Sequence, residues 1–117
     1  MADRGINESE VYRFIHEKID TVPHLEALLQ LRQSGPRKWT EEQLARRLFI
    51  STETAGKILR DLARLQLVAV EAGEPPRYSY RSDSGTDDLV AAVFAAYQRD
   101  LPRMTAAIHA KTKHERS

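Results

Sequence analysis

Apolar and polar positions change period several times along this chain, and those changes mark out its elements. Val11, Phe14, Ile15 and Ile19 recur at helical spacing and predict an amphipathic helix over 8–20. Asp20-Thr21-Val22-Pro23 restarts the chain, with the proline in a first turn that does not need its missing N–H. Leu25, Leu28, Leu29 and Leu31 give a second helix its buried face, and Ser34-Gly35-Pro36 ends it. Arg37-Lys38-Trp39 is short and extended, suited to pairing with the edge of a later hairpin. Trp39 then turns into the core; the other use for such a ring is as a stacking platform for a base or ligand.

The stretch from Thr40 to Leu65 predicts two short helices joined by a tight turn. Thr40 with Gln43 three residues on forms a capping box, and Ser51 and Thr52 open the second helix. Leu44, Ala45, Leu48, Ile50, Ala55, Ile58, Leu59, Leu62 and Leu65 supply the inner faces. The pattern breaks for about three residues before Ser51, room for a turn and nothing longer, which is a helix-turn-helix signature. Gly56 lies within the second helix at a cost of about 1 kcal/mol relative to Ala. Facing outward it would let a DNA backbone approach; facing inward it would make room for a bulky neighbour.

Beyond it, 66–71 is β-prone, 72–76 is a turn, and 77–81 alternates with period two, so a hairpin is expected. Tyr78 and Tyr80 take its inner face, and Arg77, Ser79 and Arg81 its outer face. A last helix is expected over 86–111, capped by Ser84 or Thr86. Val90, Phe94, Tyr97, Leu101, Met104 and Ile108 form a heptad-like seam along it. Pro102 predicts a kink or break near Asp100.

The 117 residues suit one domain, 1–117. A disordered arm is expected over 1–7 and a basic tail over 112–117. Apolar content of 41% and charged content of 30% are those of an ordinary globular protein. No apolar run approaches the roughly 20 residues of a membrane span, and the N-terminus lacks a signal-peptide core, so a cytoplasmic protein is expected. With no cysteine, disulfides and thiolate metal sites are excluded. The net charge of +1 conceals a gradient, because residues 37–64 carry seven basic side chains against four acidic ones. His16, His24, His109 and His114 show no metal-ligand spacing. There is no phosphate-binding glycine loop and no nucleophile motif, so neither an enzyme nor a cofactor or metal is expected.

In residues 22–81 the chain resembles the winged helix-turn-helix bacterial transcription regulators. The resemblance rests on Leu44-Ala45-x-x-Leu48-x-Ile50-Ser51-x-x-Thr54-Ala55-x-x-Ile58-x-x-x-Leu62 followed by the hairpin at 67–81. It implies a mostly α fold with a small β-hairpin wing and with N- and C-terminal flanking helices. In the MarR-like and PadR-like groups such flanking helices dimerise. One departure is Gln66, which stands where these regulators carry glycine.

The resemblance makes helix 52–65 the reader of duplex DNA, in the major groove. Thr52, Thr54, Lys57, Arg60 and Arg64 would then be its contacts, with Lys38, Arg77 and Arg81 flanking. Glu53 and Asp61 dilute that face, and the alternative is a solvated one. A homodimer would use the seam of Val90, Phe94, Tyr97, Leu101, Met104 and Ile108; packed on their own monomer, the same helices would simply complete its core. A rival from another class is a winged-helix protein-interaction module that binds no DNA. Nothing in the sequence names an effector.

Overall fold

The computed structural model describes residues 6–116, with side chains described through residue 110. The segment expected as a disordered arm (through residue 5) and the side chains of the expected basic tail lie outside the described residues. Two compact units divide at Val22/Pro23 and at Ser82/Asp83.

The unit spanning Pro23–Ser82 holds α2 (Val22–Gln33), α3 (Glu41–Leu48), α4 (Thr52–Arg64) and the strands β1 (Val68–Glu71) and β2 (Arg77–Tyr80). α3 packs on α4, and α4 on β1. Leu25, Leu28, Leu31, Leu44, Leu59 and Leu62 are fully buried, each worth about 1.5–3 kcal/mol of removed apolar surface. Both expected helix starts are present. Thr40 and Gln43 exchange hydrogen bonds in a full capping box, and the Ser51 hydroxyl accepts from the Thr54 N–H at 3.0 Å.

The hairpin is antiparallel, pairing Val68 with Tyr80 and Glu71 with Arg77. Its free edge on β2 is taken by Trp39, whose N–H and carbonyl each bond to Tyr78 at 2.7 Å. That pairing fixes the extended 37–39 segment and turns the indole inward, where it is 2% exposed.

Helix exits require left-handed backbone at three places. Gly35 (φ 68°) closes α2, as its sequence position predicts, whereas Phe49 (φ 59°) and Gln66 (φ 63°) close α3 and α4. At the α4 exit, Leu67 N–H bonds to Leu62 O at 3.0 Å and Gln66 N–H to Ala63 O at 2.9 Å. This is a Schellman closure with the buried Leu67 as its hydrophobic member. Gln66 thus adopts the left-handed conformation that glycine favours, and two hydrogen bonds close the exit.

The second unit combines α1 (Glu8–Lys18) with α5 (Ser84–Arg99) and α6 (Leu101–Arg116), each packing on the other two. α1 starts at a capping box of Asn7 with Glu10. α5 is capped by Asp83, whose carboxylate accepts from the Thr86 N–H at 2.7 Å, and not by Ser84 or Thr86. That contact holds the Asp83 carboxyl below its ordinary value, the backbone hydrogen bond from Thr86 contributing most.

The last helix, expected over 86–111 with a kink or break near Asp100, is two helices broken there. They part at Asp100 (φ −144°, ψ 66°) because Pro102 has no N–H to continue α5 and fits a new first turn instead. The break splits the seam. Val90, Met104 and Ile108 are buried within the chain, Phe94 and Tyr97 are half-buried, and Leu101 is 48% exposed.

Phe49 combines left-handed backbone with a side chain that is 94% exposed, so it bears the conformational cost without compensating burial. Phe49→Gly should therefore raise stability by about 0.5–1 kcal/mol, measured by urea unfolding. An unchanged or lower midpoint would show that the aromatic ring stabilises the turn.

Candidate nucleic-acid interface

The outer ridge of α4 is decided by what lies beneath it. The sequence places Asp61 on the solvent side, diluting the basic face. In the structure its carboxylate is buried at the base of α4, with the residue 8% exposed. Its Oδ2 lies 2.9 Å from Nε2 of His24 on α2, and the same oxygen accepts from Lys57 Nζ at 3.0 Å. Arg64 donates to Oδ1 at 2.8 Å. An ionised carboxylate only accepts, so the His24 ring donates through Nε2. His24 is accordingly a core residue.

Burial works against the charge on Asp61, but the hydrogen bonds from His24, Arg64 and Lys57 outweigh it. They hold the carboxyl well below the usual carboxylate range.

Arg60 is tied elsewhere. Its Nη1 donates to Glu41 Oε2 at 3.2 Å, and the same oxygen accepts from the Tyr78 hydroxyl at 2.9 Å. One carboxylate at the start of α3 therefore joins α4 to β2. Burial first, and then Glu41, push the Tyr78 hydroxyl above its ordinary value. Gly56 is the space that carboxylate occupies, since a Cβ there would lie 2.7 Å from Glu41 Oε1. Of its two uses the inward one holds, and the bulky neighbour is Glu41.

The remaining expected contacts are placed as follows. Thr52 is exposed at the first position of α4, and the Thr54 hydroxyl accepts from Ser51 Oγ at 2.8 Å. Lys38 pairs with Glu71 at 3.2 Å. Arg77 is exposed on β2 and Arg81 just beyond it; among the described residues neither meets a carboxylate. Lys57, Arg60 and Arg64 line one exposed ridge, each with a carboxylate behind it. Sequence reasoning missed this because Asp61 was read by polarity. The available signal was spacing, since Asp61 follows the buried Ile58 by three and is flanked by Lys57 and Arg64 at helical contact distance.

No protein family's sequence profile matches the chain, and no curated protein matches it. Solved structures do match. One, from a study of regulation of DNA binding of Bordetella bronchiseptica BpsR by 6-hydroxynicotinic acid, superimposes with a TM-score of 0.60 at 14% identity, covering 92% of this chain and 81% of that one. A MarR family protein from Bacillus stearothermophilus gives 0.57 at 20% identity over 82% and 66%. The YusO protein of Bacillus subtilis gives 0.57 at 16% identity over 94% and 84%.

Asp61 has a lower pKa folded than unfolded. Its stabilisation is therefore complete above the unfolded value of about 4 and is lost as pH falls through the folded one. Asp61→Asn should cost about 2–3 kcal/mol at pH 7, and the gap from wild type should close as unfolding is measured toward pH 2. A gap independent of pH would mean that the charge contributes nothing. By these likenesses the chain has the winged helix-turn-helix fold, as seen in the MarR family protein.

Proposed function

We propose that this protein is a DNA-binding transcription regulator that reads duplex DNA with α4 and grips the flanking backbone with its wing. The observation that carries the reading is the exposed α4 ridge of Thr52, Lys57, Arg60 and Arg64, held by the fold beside the uncompensated Arg77 and Arg81. The likeness to BpsR, whose DNA binding is regulated by a small aromatic acid, supports it.

The internal carboxylates do not forbid the contact. The side chains of Lys57, Arg60 and Arg64 are mostly solvent-exposed, and exposed ion pairs are worth about 0–1 kcal/mol. Each phosphate neutralised on DNA releases counterions, a larger return at moderate salt. Asp61 keeps His24 when Lys57 swings out, so the exchange leaves no bare buried charge. Thr52 and Thr54 stand at the helix start, where a hydroxyl reaches phosphate or a base edge.

Lys57→Ala with Arg60→Ala should weaken binding and reduce the slope of log K against log salt by about 2. The readout is anisotropy of a labelled random duplex. Binding identical to wild type across the titration would remove α4 as the reader. A second reading, a protein-docking winged helix, is favoured by Phe49 and Val70, which stand exposed on the same unit; it predicts no DNA binding at any salt.

A homodimer formed through the helical unit reads two successive major grooves if its α4 helices lie about 34 Å apart, one turn of DNA. Of the seam, Phe94, Tyr97 and Leu101 keep surface to offer a second copy. Leu101→Lys should shift the mass measured by light scattering from dimer to monomer at micromolar concentration. A dimer retained in full would place the interface elsewhere.

A further inference from the structure

On the winged unit, α2, the 37–39 segment and α3 enclose a shallow open cleft of about 600 Å³, lined by Gln30, Arg37, Trp39, Gln43, Arg46 and Arg47. Three guanidinium groups meet there, of which Arg46 pairs with Glu42 at 2.9 Å. Arg37 lies over the Trp39 ring at 3.9 Å from its centroid. Arg47 spends only Nε, donating to Gln30 Oε1 at 3.0 Å. Among the described residues neither Arg37 nor Arg47 meets a carboxylate. Gln43 uses its Oε1 on the Thr40 N–H, which leaves its amide NH₂ available to donate. Beneath the stack, Trp39 Nε1 is buried and meets no acceptor among the described residues.

We infer that this cleft binds a phosphate group through Arg37, Arg47 and Gln43. The lining is almost wholly donors, and the missing partner is an acceptor. A guanidinium pair meets an oxyanion with charge-assisted hydrogen bonds in a fixed plane. The Arg37–Trp39 stack is made of cation–π attraction, which survives when the guanidinium edge turns to an anion. The phosphate is either free in solution, as in a small phosphorylated metabolite, or part of a nucleic-acid backbone.

Trp39 is the only tryptophan, so its emission reports this cleft. The full chain is titrated with sodium phosphate, balanced with sodium chloride to constant ionic strength, and separately with a 20-base-pair duplex (about two turns of DNA). Arg47→Gln, which leaves the Arg37–Trp39 stack intact, and Arg37→Gln/Arg47→Gln are compared with wild type after circular dichroism shows all three folded. The expected result is a saturable emission change in wild type whose half-point rises about tenfold in Arg47→Gln and further in the double variant. A change with phosphate identifies a free ligand; a change with duplex alone, lost in the same variants, identifies the DNA backbone. No saturable change with either titrant, or a change that both variants retain, overturns the site. Inorganic phosphate reports on the cleft whether or not α4 binds DNA.

Discussion

A buried carboxylate at the base of α4 imposes the constraint on which the winged unit depends. Asp61 joins α4 to α2 through His24, and it draws Lys57 and Arg64 back along the ridge they share. Removing a carboxylate from water is expensive, and the arrangement persists because three donors surround it. Its consequence reaches the surface. Lys57 and Arg64 each keep a carboxylate partner beneath them while their side chains stay mostly exposed to solvent.

Glu41 makes the second tie. By accepting from both Arg60 and Tyr78 it couples the start of α3, the middle of α4 and the wing strand, and Gly56 exists to leave it room. The wing is anchored a second time by the backbone pairing of Trp39 with Tyr78. Helix and wing are thus positioned by polar contacts around a leucine core, which fixes the geometry of α4 against the hairpin.

What local chemistry determines was legible in the sequence. The Thr40–Gln43 box, the Ser51 cap, Gly35 at the α2 exit, the pairing of Trp39 with the hairpin and the Pro102 break all arise from residues within a few positions of the feature or from strand pairing. The partners of Asp61 and Glu41 were hidden because they lie across the fold, and polarity alone assigns an aspartate to water. Gln66 shows the converse case: local preference argues for glycine, yet a buried Leu67 and two carbonyls in need of donors impose the left-handed turn on glutamine. Of the candidate site, the exposure of Lys57, Arg60 and Arg64 was readable from helical spacing, and their carboxylate partners were not.

The central claim is that α4 and the wing together form the contact surface for duplex DNA. Backbone amide chemical shifts of the isotopically labelled full chain, followed while unlabelled duplex is added at moderate salt, test it most directly. Saturable shifts concentrated at residues 51–60 and 72–81 are predicted. Shifts confined to other segments, or no shift at duplex concentrations that saturate ordinary non-specific binding, would contradict it.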